Sequence, residues 1–374
     1  MIPFNKPYMT GRELPCIVEA HANGHLSGDG PFTKRCHEWL QNRTSAAKAL
    51  LTHSCTAALE MAAILLDFQA GDEVIMPSFT FVSTANAFVL RGAVPVFIDI
   101  RQDTLNIDET LIEQAITPRT KAICVVHYAG VACEMDVILD VARRHGLVVV
   151  EDAAQGIMSS YHGRALGTLG ELGAFSFHET KNIISGEGGA LLCRDNTYCE
   201  RAEIIREKGT NRSRFFRGQV DKYTWVDVGS SYLPGEITAA FLAGQIEEAD
   251  SITAARLQLW NTYHSFFATF EGNGKLRRPI IPPGCVHNAH MYYLLLNSVD
   301  ERGRFIEQMK ALGVQTVFHY IPLHSAPAGR AHGRVSGSME VSDSLSERLV
   351  RLPLWVGLEE HMPHILDAAS KCLV

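Results

Sequence analysis

A lysine and an aspartate, each following an apolar run, are the residues of this sequence best suited to chemistry. Asp152 ends the run Val148–Asp152, which is typical of a buried strand, and Lys181 follows the run Ala174–Phe177, just before the glycine cluster Gly186–Gly189. A lysine amine can form a Schiff base with an aldehyde, and a carboxylate can keep a pyridine nitrogen protonated so that the ring accepts electrons. The pair predicts pyridoxal phosphate as the cofactor.

Further residues could complete a cofactor site around this pair. Thr56 and Ala57 lie where a predicted strand passes into a helix, and free amides at a helix start favour a phosphate. The alternative there is simple N-capping by Ser54 or Thr56. Ser176 is a second candidate for the phosphate, and Phe81 could either stack on the cofactor ring or pack in the core.

Gln155 could donate to the phenolic oxygen of the cofactor, or it could be a surface glutamine. Each member of the set has such a structural alternative. Asp152 could cap a helix that begins at Ala153, and Lys181 could be a solvated loop residue. A cofactor site is favoured because, without one, every candidate residue would need its own unrelated structural role, and that coincidence is improbable.

Length, charge and cysteine usage restrict the class of protein. A chain of 374 residues exceeds one compact core, so two domains are expected. The net charge of −7 argues against nucleic acid as the main partner. Nine scattered cysteines without a C-x-x-C pair predict reduced thiols in the cytoplasm and no metal site. The apolar runs are too short to span a bilayer, and the N-terminus has no apolar signal segment.

The alternation of apolar runs with helical patterns predicts an α/β fold with a mostly parallel central sheet. We expect an N-terminal arm over residues 1–45, a large domain over 46–245 and a small α+β domain over 246–374. One long helix is expected from Glu236 to Phe270. Strand-like runs follow at Met291–Leu296 and Val314–Phe318.

Several motifs of the chain resemble those of the DegT/DnrJ/StrS sugar aminotransferases, within the aspartate aminotransferase fold (type I) of pyridoxal phosphate enzymes. The matching segments cover nearly the whole chain. They are Gly71–Thr80, Glu151–Gln155, Ser176–Lys181, Gly186–Gly189 and His319–His324.

The resemblance implies a role for each candidate residue. It implies Lys181 as the Schiff-base lysine, Asp152 on the pyridine nitrogen and Gln155 near the ring oxygen. It also implies a homodimer, glutamate as amino donor and a dTDP-linked 4-keto-6-deoxy sugar as acceptor. The phosphate and ring contacts that it implies are those of Thr56, Ala57, Ser176 and Phe81. Many members carry an asparagine that reaches the phosphate from the second subunit; here Leu233 stands at that position and cannot donate a hydrogen bond.

Substrate-binding candidates follow only from loop position. Asp29, Tyr320 and His324 lie in predicted loops, and structural roles are equally compatible with their positions. The loop 209–234 holds the densest run of basic residues, including Arg212 and Arg214. It could bind the pyrophosphate of a nucleotide sugar, or it could be a solvated surface loop.

Two other functions remain open on the sequence alone. Related sugar dehydratases carry histidine where Lys181 stands, so the lysine argues against a dehydratase. A regulator that only binds the cofactor is disfavoured by the intact pair of Lys181 and Asp152. Turnover separates these possibilities, because a regulator would not release 2-oxoglutarate from glutamate.

Overall fold

The computed structural model of the protein describes residues 1–373, and its strands agree with most of the apolar runs of the sequence. The strands are β1 (Lys48–Thr52), β2 (Glu73–Pro77), β3 (Val94–Ile98), β4 (Thr120–Val126), β5 (Val148–Asp152), β6 (Ser160–Tyr161), β7 (Arg164–Ala165), β8 (Leu172–Ser176), β9 (Gly189–Cys193), β10 (Leu276–Arg277), β11 (Cys285–Val286), β12 (Tyr292–Leu296), β13 (Arg334–Val335) and β14 (Leu349–Leu352).

Helices connect most of the long strands, as crossovers between parallel strands require. They are α1 (Glu13–Ala22), α2 (Pro31–Thr44), α3 (Cys55–Leu65), α4 (Val82–Val89), α5 (Ile112–Ala115), α6 (Met135–His145), α7 (Cys199–Arg206), α8 (Arg212–Phe216), α9 (Glu236–Ile246), α10 (Ala249–Gly272), α11 (Val299–Ala311), α12 (Pro327–His332), α13 (Glu340–Arg348) and α14 (Met362–Leu373).

The main sheet has eight strands in the order β1-β9-β8-β5-β4-β2-β3-β13. All neighbours from β8 to β13 are parallel, and only the β1–β9 and β9–β8 pairs are antiparallel. The predicted α/β fold with a mostly parallel sheet is therefore confirmed. Strand β13 comes from the C-terminal part of the chain, where Arg334 binds the buried carboxylate of Glu73 on β2.

Both faces of the main sheet are covered, which explains why its strands are apolar throughout. Successive side chains of a strand point to opposite faces. Leu50 and Val150 pack in one core cluster, whereas Leu51 and Val149 pack in the other. This double burial leaves the carboxyl ends of the strands as the place where polar side chains can gather.

The C-terminal part of the chain builds a second, antiparallel sheet in the order β10-β12-β14, with its own hydrophobic core.

Two of the predictions for this part of the chain were wrong. The predicted helix from Glu236 to Phe270 is divided into α9 and α10 at Glu247 and Glu248. The backbone of Glu248, with φ −103° and ψ 13°, departs from helical values. The run Val314–Phe318 makes only isolated bridges, from Val314 to Ile2 and from Val317 to Arg351. The domain limits at residues 45 and 245 stay a prediction.

Among residues 1–373, no helix has the length and the apolar character needed to cross a membrane.

Candidate active site

Loops at the carboxyl ends of the parallel strands enclose a cavity of about 760 Å³. Its size lies in the range of small-molecule sites. The cavity brings together most of the residues that the sequence predicts for the cofactor, although they are far apart in the chain. Those that line it are Thr56, Phe81, Asp152, Gln155, Ser176 and Lys181, together with the substrate candidate Tyr320.

Asp152 is a buried carboxylate, only 5% exposed, at the end of β5. Its Oδ2 accepts a hydrogen bond of 2.7 Å from the Thr84 hydroxyl, and its Oδ1 accepts one of 3.1 Å from the Ala154 amide. The Thr84 hydroxyl lies 2.8 Å from that of Thr80, which fixes its direction. Between residues 1 and 373 no lysine, arginine or histidine nitrogen pairs with Asp152. A buried carboxylate needs a cation, and the protonated pyridine nitrogen of pyridoxal phosphate meets this need.

Lys181 lies in the turn after β8 and lines the same cavity. Desolvation in the cavity lowers the pKa of its amine below the usual lysine value, and the charge of Arg351 acts in the same direction. The carboxylate of Asp152 opposes this shift. A lowered pKa enlarges the neutral fraction of the amine, and only the neutral amine can attack an aldehyde or accept a proton.

Helix α3 supplies the predicted phosphate end of the site. Ser54 is its N-cap and accepts a 3.1 Å hydrogen bond from the Ala57 amide, so that amide already has a partner. Thr56 is not the cap; its hydroxyl lies 2.7 Å from that of Ser83. The predicted phosphate contact of Ala57 therefore competes with the cap, whereas Ser54, Thr56, Ser83 and Ser176 all present hydroxyls to the cavity.

Phe81 and Gln155 stand beside the space that a cofactor ring would take. Phe81 lines the cavity and is 54% exposed, so the core-packing alternative for it is wrong. The Oε1 of Gln155 accepts from the Ala129 amide at 2.7 Å, which orients the other end of the amide. Its Nε2 then donates to the Tyr320 hydroxyl at 3.1 Å. Gln155 is therefore buried and oriented as a donor, not a surface glutamine.

Tyr320 was predicted from the sequence, but two histidines that line the cavity with it, His290 and His319, were not. The rings of His319 and Tyr320 are stacked with centroids 3.6 Å apart, and the Tyr128 hydroxyl forms a 2.7 Å hydrogen bond with His319 Nδ1. Desolvation lowers the pKa of His319 and of His290 well below the usual histidine value. The resemblance motif His319–His324 was the one signal that could have identified His319.

The other substrate candidates do not line this cavity. Asp29 is held in an ion pair of 2.7 Å with the buried guanidinium of Arg206. His324 forms a 2.7 Å hydrogen bond with the Ser78 hydroxyl and lies 3.3 Å from the carboxylate of Asp343.

The two basic candidates of the loop 209–234 lie on helix α8 and are also engaged. Arg214 pairs with Glu200 at 3.1 Å, and Arg212 lies 3.7 Å from Glu207. Leu233 packs against Gly28, and a side chain at position 28 would clash with the side chain of Leu233.

The fold and this pocket together define a pyridoxal phosphate–dependent aminotransferase. The sequence profile described as the DegT/DnrJ/EryC1/StrS aminotransferase family matches residues 7–369, and the chain belongs to this family. It is a sugar aminotransferase, with pyridoxal phosphate as its cofactor.

Curated relatives match along almost their whole length. GDP-perosamine synthase of Caulobacter vibrioides is 32% identical over 373 residues, which cover 98% of this chain and 97% of that protein. The dTDP-4-dehydro-2,3,6-trideoxy-D-glucose 4-aminotransferase of Saccharopolyspora spinosa is 30% identical over 367 residues, which cover 96% and 93%. The two names differ in the nucleotide, so similarity alone does not fix the substrate of this chain.

A solved structure agrees with the fold and with the cofactor. The putative sugar aminotransferase Spr1654 of Streptococcus pneumoniae, in its pyridoxal phosphate form, superposes with a TM-score of 0.88 at 26% identity. The match covers 100% of both chains. The same protein in its pyridoxamine phosphate form gives a TM-score of 0.90.

Proposed function

We propose that the protein transfers the amino group of glutamate to C4 of dTDP-4-keto-6-deoxy-D-glucose, giving dTDP-4-amino-4,6-dideoxy-D-galactose. The observation that carries the reaction type is the buried carboxylate of Asp152, which pairs with no cation among residues 1–373, in the cavity that Lys181 lines. The choice of sugar rests on the sequence resemblance and on a relative that is named as a 4-aminotransferase of a dTDP sugar.

Each residue has a separate task in this proposal. The bound cofactor supplies an aldehyde and a ring that accepts electrons. Asp152 holds the ring nitrogen protonated, and Thr84 holds Asp152. Toward the bound cofactor, the amine of Lys181 would supply the Schiff-base nitrogen and the base that moves the proton during amino transfer. Gln155 and Phe81 orient the ring by a hydrogen bond and by stacking.

The proposed sugar is tested by NMR of the product formed from glutamate and dTDP-4-keto-6-deoxyglucose. We expect an axial amine at C4, which defines the galactose configuration. The GDP-linked 4-keto-6-deoxy sugar is the matched comparison, since one relative is named as a GDP-perosamine synthase. Preference for the GDP sugar, an equatorial C4 amine or amination at C3 would each contradict the proposal and indicate another specificity in the same family.

We also propose a homodimer in which the loop 209–234 helps to complete the site of the neighbouring subunit. The loop exposes an unusual number of large apolar side chains, and Trp225 is 77% exposed. Apolar groups of this kind mark contact surfaces, and twofold dimers are the commonest soluble assembly. Its other exposed apolar members are Phe215, Phe216, Tyr223, Val226 and Val228.

A paired substitution tests the loop. Replacing Arg212 and Arg214 by glutamine should raise the KM for the nucleotide sugar and leave the reaction with glutamate unchanged, because only the sugar carries a pyrophosphate. Arg304→Gln, at an exposed position of α11, is the control for loss of surface charge. An unchanged KM would reject the role of the loop, and a fully active monomer in sedimentation would reject the shared site.

A further inference from the structure

We infer that the side chains of His178 and Glu187 form a subsite that binds a hydroxyl group of the sugar, beside the keto carbon. This inference rests on the proposed function for the identity of the substrate. Both residues line the same cavity as Lys181 and Asp152. His178 Nε2 lies 3.6 Å from Glu187 Oε1. These two residues are termed the His178–Glu187 couple.

The backbone holds the two members of the couple directly opposite each other. The Phe177 amide donates to the carbonyl oxygen of Gly188 at 2.9 Å, and the Glu179 amide donates to that of Gly186 at 2.8 Å. The couple consists of the residues between these two hydrogen bonds, and residues opposed in this way have their side chains on the same face. The chain can turn back here because Gly186 has a φ of +79°. The glycine cluster of the sequence therefore sets the glutamate against the histidine.

Thr180 fixes which nitrogen of the His178 ring carries the proton. The backbone amide of Thr180 donates to His178 Nδ1 at 3.2 Å, so Nδ1 is an acceptor. The Thr180 hydroxyl also lies 2.9 Å from Nδ1. In the neutral ring the proton is then on Nε2, the nitrogen that faces Glu187. Within residues 1–373 this N–H makes no hydrogen bond, since 3.6 Å is too long for one.

The couple presents a donor beside an acceptor, which suits a hydroxyl group. A hydroxyl can accept one hydrogen bond, here from Nε2, and donate another, here to the carboxylate. An oxygen about 2.8 Å from each atom can bridge the gap of 3.6 Å between Nε2 and Oε1. An anion is disfavoured at this place because the Glu187 carboxylate repels it. The couple therefore suits neither the pyrophosphate of a nucleotide sugar nor the carboxylates of glutamate.

The position of the couple favours the hydroxyl at C3 of the sugar. His178 and Lys181 lie in one turn, where the Lys181 amide donates to the His178 carbonyl oxygen at 2.8 Å. In a 4-keto-6-deoxy hexose, C4 is bonded to C3, which carries a hydroxyl, and to C5, which carries a methyl group. The C2 hydroxyl is one carbon farther from C4. A hydroxyl subsite beside the reacting lysine therefore matches C3.

Substitutions of His178 combined with deoxy sugars test the subsite. The probes are dTDP-4-keto-6-deoxyglucose and its 3-deoxy and 2-deoxy analogues. Their binding to the cofactor-loaded enzyme is measured by calorimetry without an amino donor. His178→Phe keeps a flat ring and removes both nitrogens, whereas His178→Gln keeps a donor near the position of Nε2. His145→Phe is the matched control, because His145 also pairs with a glutamate, Glu113, at 2.8 Å, and lies outside the cavity.

We expect the wild type to bind the 3-deoxy analogue at least about ten-fold more weakly than the complete sugar, because two hydrogen bonds are lost and one of them is to a charged group. His178→Phe should bind both sugars with the same, weakened affinity, because the C3 hydroxyl has lost its partner. His178→Gln should recover part of the discrimination. The 2-deoxy analogue should lose the same factor in every variant, and KM and kcat of the reaction with glutamate alone should not change.

Other results overturn the inference. Equal affinity of the wild type for the complete sugar and the 3-deoxy analogue removes the subsite, and so does discrimination that persists in His178→Phe or an equal loss in His145→Phe. Discrimination that His178→Phe loses for the 2-deoxy analogue instead would refute the assignment to C3. Melting and cofactor absorbance identify a variant that fails to fold, and Glu187→Ala, at a side chain that is 72% exposed, then replaces His178→Phe with the same expected result.

Failure of the proposed function is seen separately, in turnover. A wild type that aminates only the GDP-linked sugar refutes the dTDP sugar as substrate. The same binding measurements with the GDP-linked sugar and its 3-deoxy analogue then decide whether the His178–Glu187 couple binds the C3 hydroxyl.

Discussion

Two neighbouring carboxylates at the end of β5, Glu151 and Asp152, have opposite surroundings. Glu151 is completely buried and faces the protein interior. It accepts four hydrogen bonds of 2.6 to 2.8 Å, from His127 Nε2 and from the amides of Gly167, Leu169 and Gly170. Asp152 faces the cavity and, within residues 1–373, accepts two, from Thr84 and Ala154.

The difference follows from the period of two along a strand, which turns adjacent side chains to opposite faces. The donors around Glu151 are fixed by the fold, and the imidazole of His127 is oriented in turn by the Cys133 amide at its Nδ1. This carboxylate is satisfied without any ligand. Asp152 has room for one more donor, which the cofactor nitrogen can provide. The comparison separates a carboxylate that stabilises the fold from one that serves the reaction.

The largest loss of turnover is expected on replacing Lys181, which lines the same cavity as Asp152. Lys181→Ala should lower turnover by at least about 1000-fold, because the proton carrier is removed. The cofactor should still bind without the visible absorbance of its lysine-bound form. Lys121→Ala, at a surface lysine, is the control. The assignment fails if the alanine variant turns over normally with added amines excluded.

Asp152→Asn should lower kcat by about 100- to 1000-fold, because an amide cannot stabilise a positive ring nitrogen. The phosphate contacts are untouched, so cofactor binding should remain measurable. Thermal stability of the protein without cofactor should not fall, since an unpaired buried charge is removed. Near-normal turnover in this variant would mean that another residue contacts the nitrogen.

Glu151→Gln should show the reverse pattern. One oxygen becomes an NH2 group that must face backbone or imidazole donors, which leaves buried groups unsatisfied. We expect the free energy of unfolding to fall by about 2–3 kcal/mol, as measured by denaturant titration. The kcat of the folded fraction should change little. A large loss of kcat with unchanged stability would show that the two carboxylates do not differ as their surroundings indicate.

The residues predicted to bind the cofactor could be identified from the sequence, because they lie at or just after the ends of strands. Asp152, Ser176 and Lys181 could be located from apolar runs and the residues after them, and parallel strands bring such ends together. The break between α9 and α10 was not predictable from periodicity, since helical residues continue across it. The break lies in the backbone of Glu248, whose φ of −103° and ψ of 13° depart from helical values.

The residues that could bind the substrate were harder to predict, because their surroundings are made by residues far away in the sequence. Arg351 comes from a distant strand of the C-terminal sheet and still lines the cavity, which no local pattern reports. Asp29 looked like a free loop acid, yet a buried arginine 177 positions away in the chain holds it. Thr84 lies just after the resemblance segment Gly71–Thr80, and only tertiary structure shows that its hydroxyl faces Asp152.

The smallest effect, and the sharpest test of the comparison, is expected for Thr84→Val. Valine keeps the shape of threonine but removes the hydroxyl that donates to Asp152 Oδ2, so one oxygen of the carboxylate loses its fixed partner. We expect kcat to fall about ten-fold, equivalent to about 1.4 kcal/mol. Thr84→Ser keeps the hydroxyl and should retain most of the activity. If valine and serine give the same kcat, then the hydroxyl does not position Asp152, and the cavity-facing carboxylate is oriented by the Ala154 amide and the cofactor alone.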